Sequence, residues 1–103
     1  MPEKLVRDRI PTIIANAGGT PRYRVLEHRE RLAWLLRKLH EEVQELVLTP
    51  CLDECADVYE VLLAIAVQLG ETKDALVVAA DEKARHRGAF TEGILLEMSE
   101  DGR

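Results

Sequence analysis

Aromatic side chains are scarce in this 103-residue chain: one Trp, two Tyr and one Phe make up 4% of it. An aromatic-anchored core is thereby excluded, and the interior has to be assembled from Leu, Val, Ile and Ala. Only two cysteines are present, Cys51 and Cys55, too few for a disulfide framework. Both read as reduced, small core residues, which points to a cytoplasmic protein. The longest strictly apolar run, Val61 to Val67, falls far short of a bilayer span. The opening MPEKLVRDRI has no apolar h-region, so no signal peptide is expected. Internal repeats, low-complexity stretches and linkers are all missing, and one domain over residues 1–103 is expected.

One further absence carries more information. Lys and Arg do not occur between residues 39 and 72, a stretch that holds eight acidic residues. The formal net charge of −5 already argues against a partner that is a nucleic-acid polymer, since no basic excess is available to neutralise its backbone. Resolved along the chain, that charge is +5 over residues 1–40, −8 over 39–72 and −2 over 73–103. An uninterrupted acidic block therefore lies between basic flanks.

Periodicity places the block on helices. Leu32, Leu36, Leu39, Val43 and Leu46 recur at spacings of three and four, which predicts an amphipathic helix over about 27–48. Thr49-Pro50 breaks it, and Pro50 suits the start of a second helix running to Leu69 with Gly70 as its C-cap. Thr72 can N-cap a third helix that ends at Gly88. A short helix over Thr12 to Ala17 is predicted before Gly18-Gly19. Tyr23, Val25 and Leu26 suggest a short strand, with Ala89 to Met98 as loop and strand able to pair with it. The expected fold is all-α: an antiparallel helical hairpin plus a third helix, with a small β element. The second helix is apolar nearly all round from Val58 to Val67. One short chain cannot cover it, so a homodimer or higher homo-oligomer packed through this helix is expected to complete the bundle.

Within the block, Glu42 and Glu45 are three residues apart on the first long helix, as are Glu54 and Asp57 on the second. Each pair projects from one helix face. In an antiparallel hairpin, residues equidistant from the turn sit at equal height, and 45 with 54, and 42 with 57, share one centre beside Thr49-Pro50. With a rise of about 1.5 Å per residue, the two levels lie about 4–5 Å apart. Four converging carboxylates repel one another, and no cation within the block relieves them. A divalent ion would, and carboxylate-only ligands select Mg²⁺, Mn²⁺ or Ca²⁺ over zinc. A di-iron bundle site is excluded because it needs Glu-x-x-His motifs, which His28, His40 and His86 do not form. Lys83 and Arg87 share a helix face, and Lys4, Arg7 and Arg9 line the opening segment; all five are candidate phosphate ligands. Trp34 reads as core.

At these residues the chain resembles the MazG-like, all-α nucleoside triphosphate pyrophosphatase superfamily. Its EExxE and ExxD signature is matched by Glu41, Glu42, Glu45, Glu54 and Asp57. KLVRDRIP (Lys4 to Pro11), ECADVYEVL (Glu54 to Leu62) and EKARHRGAF…GILLE (Glu82 to Glu97) are similar to a phosphoribosyl-ATP pyrophosphatase-like, small-protein branch. The resemblance implies a bundle completed by dimerisation, Mg²⁺ as cofactor with Mn²⁺ as a substitute, and hydrolysis of a nucleotide substrate between its α and β phosphates. Members often remove non-canonical nucleotides. Carried over residue by residue, Glu42, Glu45, Glu54 and Asp57 are metal ligands, Glu41 and Glu45 are candidate bases, and Lys83 and Arg87 match phosphate-binding positions. Ala89 stands where the branch commonly has a second glycine, and Asp81 where relatives often have Asn. Two alternatives carry different functions: phosphoribosyl-ATP pyrophosphatase of histidine synthesis, and a non-catalytic nucleotide-sensing or dimerisation module.

Overall fold

The computed structural model describes residues 3–98. Four helices occur among them: α1 (Ile10–Asn16), α2 (His28–Leu48), α3 (Leu52–Gln68) and α4 (Lys73–Arg87). None is long and apolar enough to cross a membrane. The chain divides into two compact units, one up to Lys73 and one from Asp74 on.

In the first unit, α2 and α3 pack against each other, joined by only Thr49, Pro50 and Cys51. So short a link forces an antiparallel pair. The far end of the hairpin is tied as well, where the Gln68 side-chain amide donates to the His28 carbonyl at 2.9 Å. The chain enters α2 on a defined path. Glu30 accepts from the Glu27 amide at 3.0 Å, which satisfies one of the donors a helix start leaves open. Arg24 bonds the same carboxylate at 3.2 Å. That contact raises Arg24 and lowers Glu30 relative to their ordinary pKa values.

The stripe predicted on α2 splits in two. Leu32, Leu39 and Leu46 are half-buried, whereas Leu36 and Val43 are exposed, at 44% and 41%. Leu35 is half-buried too, so the half-buried leucines recur at spacings of three, four and seven, which matches a narrow seam against one partner helix. The wider stripe exceeds what α3 covers. On α3, only Val61 and Ala66 are buried, at 8% and 9% exposure, and they are the only buried hydrophobic residues among those described. Tyr59, Leu62 and Val67 remain exposed, as does Leu69 at the C-cap. The core is aliphatic as expected, and thin.

Two expectations are corrected. No strand forms among the described residues: Tyr23 and Val25 lie in a stretch without regular structure, both largely exposed. A two-stranded ribbon is marginal alone, and these alternating side chains have no apolar surface to rest on. Cys51 and Cys55 are exposed rather than core, because they sit at the hairpin's turn end, where the seam has run out.

Helix ends follow the glycines. Past α3, the Gly70 amide bonds the Val67 carbonyl at 3.0 Å and the Glu71 amide bonds that of Ala66 at 2.9 Å, a Schellman closure. Gly70 reaches φ +86 there, the left-handed region that a Cβ penalises. In the second unit, α4 carries Asp74 in its first turn and Arg85, His86 and Arg87 in its last, complementing the helix dipole. Replacing Gly70 with alanine is expected to destabilise the fold by about 1–2 kcal/mol, measured by urea denaturation, with Gly70→Asn costing less.

Candidate metal centre

The hairpin carries out the convergence that the spacing implies, with one change of membership. Glu42 from α2 and Glu54 and Asp57 from α3 each offer a carboxylate oxygen, all within 4.8 Å of one another. All three residues are half-buried. Glu45 is exposed and stands outside this trio, although its charge still acts on Glu54. Three residues along a helix turn the side chain about 60° away from its predecessor, and Glu45 takes the solvent side of that arc.

Three anionic groups at this separation need counter-charge, and the chain supplies it from outside the acidic block. Lys38 lies three and four residues before Glu41 and Glu42, and its ammonium reaches them at 3.3 and 3.1 Å. Its side chain and that of Glu42 are each only 14% exposed. Arg7 Nη2 donates to Asp57 Oδ1 at 2.7 Å. Lys4 approaches Glu41 at 3.8 Å. The opening segment thus lays one cation on each helix of the hairpin. Lys38 lies one residue before the cation-free block, outside the stretch whose charge pointed to a site, and its spacing to Glu41 and Glu42 is the sequence signal that pairs it with them.

The carboxylates differ accordingly. Glu42 is covered by Lys38 and Asp57 by Arg7, while the Glu54 carboxylate makes no hydrogen bond or ion pair among the described residues. Desolvation, and then the charges of Asp57, Glu45, Glu42 and Asp53, push the Glu54 pKa up. Lys38 is held above its ordinary value; desolvation opposes this, and the bonds to Glu42 and Glu41 outweigh it.

The remaining candidates are dispersed. Arg9 precedes α1 and is exposed, with no ion pair among the described residues. Lys83 and Arg87 are exposed on α4, in the second unit. Trp34, expected in the core, is only half-buried, and its ring face is taken by the Arg37 guanidinium, 4.5 Å from the centroid. Beside Glu41 lies a cleft of about 130 Å³ lined by Lys4, Leu5, Trp34, Arg37 and Lys38.

Chemically, three carboxylates from two rigid helices form an all-oxygen donor set, suited to a hard divalent cation with room left for water or phosphate oxygens. No protein-family model, curated protein or solved structure matches the chain.

Because Glu54 binds its proton more tightly folded than unfolded, its ionisation at neutral pH weakens the fold. That penalty fades as pH falls from neutral towards 4.5 and below. Glu54→Gln is therefore expected to melt at a higher temperature than the native chain at pH 7 without metal, with the gap closing by pH 4.5 in paired thermal melts. Lys38 has the opposite consequence: its raised pKa stabilises the fold below about pH 10.5, and that stabilisation is lost as pH rises through the folded-state value. Lys38→Met keeps the apolar stem and removes the charge. It should lower unfolding free energy by about 1–2 kcal/mol at pH 7, by urea denaturation.

Proposed function

We propose that this chain is a Mg²⁺-dependent nucleoside triphosphate pyrophosphohydrolase of the MazG-like all-α type. It cleaves between the α and β phosphates to release a nucleoside monophosphate and pyrophosphate, with non-canonical nucleotides as its targets. The observation that carries this reading is the Glu42–Glu54–Asp57 convergence across the hairpin, matched to the EExxE and ExxD spacing.

The donor set fits the ion. Glu42, Glu54 and Asp57 would hold it, and Mg²⁺, or Mn²⁺ in its place, would supply charge neutralisation for phosphate oxygens and acidify a bound water. Phosphoryl transfer asks little covalent chemistry of the protein; it asks for position and neutralised charge. Glu45 is the better candidate for accepting the water's proton, since its carboxylate makes no ion pair among the described residues, whereas Glu41 is tied to Lys38 and Lys4. Lys4, Arg7 and Arg9 lie in the opening segment, and Lys4 and Arg7 reach the acidic helices, where a triphosphate drawn to the carboxylate-bound ion would meet them.

The uncovered apolar faces, Leu36, Val43 and Val47 on α2 and Tyr59, Leu62 and Val67 on α3 with Leu69 at its C-cap, support a homodimer formed through the hairpin. Burying such faces against a second copy is the simplest way for so thin a core to gain stability.

Incubation with a panel of nucleoside triphosphates and Mg²⁺ should release pyrophosphate, and Glu54→Gln should slow that release by about 100-fold or more. Unchanged release in Glu54→Gln would refute the assigned site. Sedimentation velocity across a concentration series should show a dimer; a monomer throughout would remove the dimer from the proposal.

A further inference from the structure

Two cations neutralise the carboxylate trio, and they are held in very different ways. Lys38 sits on the same helix as its partners, at fixed spacing, with a side chain 14% exposed. Its near-burial leaves its charge little solvent to move into, so separating it from Glu41 and Glu42 is costly. Arg7 reaches Asp57 from outside the hairpin through one 2.7 Å hydrogen bond, and the two side chains are 55% and 39% exposed. A solvated pair of this kind contributes little net stability, so its exchange is cheap. Arg7 also lies in the non-helical stretch before the turn closed by the Ile10 amide on the Arg7 carbonyl, 3.1 Å. Its side chain can swing away by torsions alone, leaving the helices undisturbed.

We infer that Arg7 is a displaceable counter-ion: it covers Asp57 while the carboxylates carry no metal, and it transfers to the phosphate oxygens of the substrate once a divalent cation takes its place. This rests on the metal-site reading above. A divalent cation and a guanidinium sharing one small carboxylate repel each other. The released guanidinium, planar and forked, matches a phosphate better than any other side chain does. Metal binding thereby unmasks a phosphate ligand, and nucleotide binding becomes conditional on metal, with the incoming phosphates replacing Asp57 as the Arg7 partner. Charge stays balanced through the exchange: the divalent ion takes over neutralisation of the trio, and the guanidinium carries its own positive charge to the triphosphate.

The test is calorimetric and uses the full chain. Mn²⁺ is titrated alone, and then an α,β-methylene nucleoside triphosphate, which is not cleaved at that position, with and without Mn²⁺. Arg7→Gln should bind Mn²⁺ alone as tightly as the native chain or up to about threefold tighter, because a competitor has gone. It should bind the analogue in the presence of Mn²⁺ about tenfold more weakly. Arg7→Lys, which keeps the charge and loses the fork, should fall between the two in analogue affinity. If Arg7→Gln weakens Mn²⁺ binding, Arg7 is a fixed positioning residue and the inference is wrong. It is equally wrong if analogue affinity is unchanged. If the native chain binds no Mn²⁺, the metal reading itself fails, and the inference fails with it.

Discussion

Repulsion among carboxylates facing one another across a helical hairpin is the constraint around which this chain is arranged. Glu42, Glu54 and Asp57 are brought within 4.8 Å of each other by two rigid helices, and helices cannot splay to relieve them without opening the aliphatic seam. The fold manages the strain in two ways: with an internal cation of fixed spacing, and with a cation borrowed from the opening segment. One carboxylate, that of Glu54, is left uncovered, and its raised pKa is the residue of unrelieved repulsion and desolvation. Sites that concentrate like charge at a cost to stability are where function is commonly found.

Much of this arrangement was legible in the residues. The helices, the hairpin and the equal-height pairing follow from two periodicities and a break at Thr49-Pro50, all local features. Gly18, Gly70 and Gly88 mark where α1, α3 and α4 stop, each at positive φ. What was not legible depended on geometry finer than spacing. Glu45 shares a face with Glu42 in the coarse sense, but its 60° offset is enough to put it on the solvent side. Lys38 stands just outside the cation-free block, and only its spacing to Glu41 and Glu42 ties it to the acids. The strand around Tyr23 failed because β-prone side chains specify a strand only where a partner edge and an apolar surface await them. The two cysteines failed for a related reason: a helix position can be apolar in type and still lie beyond the end of the seam.

The thin interior has its own logic. With only Val61 and Ala66 buried among the described residues, little of the apolar surface on α2 and α3 is used within the hairpin. Aliphatic chains of moderate size, without large aromatics to anchor a small core, leave stability dependent on further surface being covered. The apolar all-round character of α3 makes that covering an expectation of the sequence itself.

Surface connections between helices usually accept insertions readily, since closing a slightly longer loop costs little entropy. The three-residue link at Thr49–Cys51 is an exception by construction. It works as a ruler: its length determines which rung of α2 faces which rung of α3. One added residue absorbed into either helix would slide the ladder by about 1.5 Å and rotate it by about 100°, dispersing the acidic trio while leaving a plausible hairpin intact. The shortest connection between helices of the unit is therefore the stretch whose length is least free to drift, whatever its residue types.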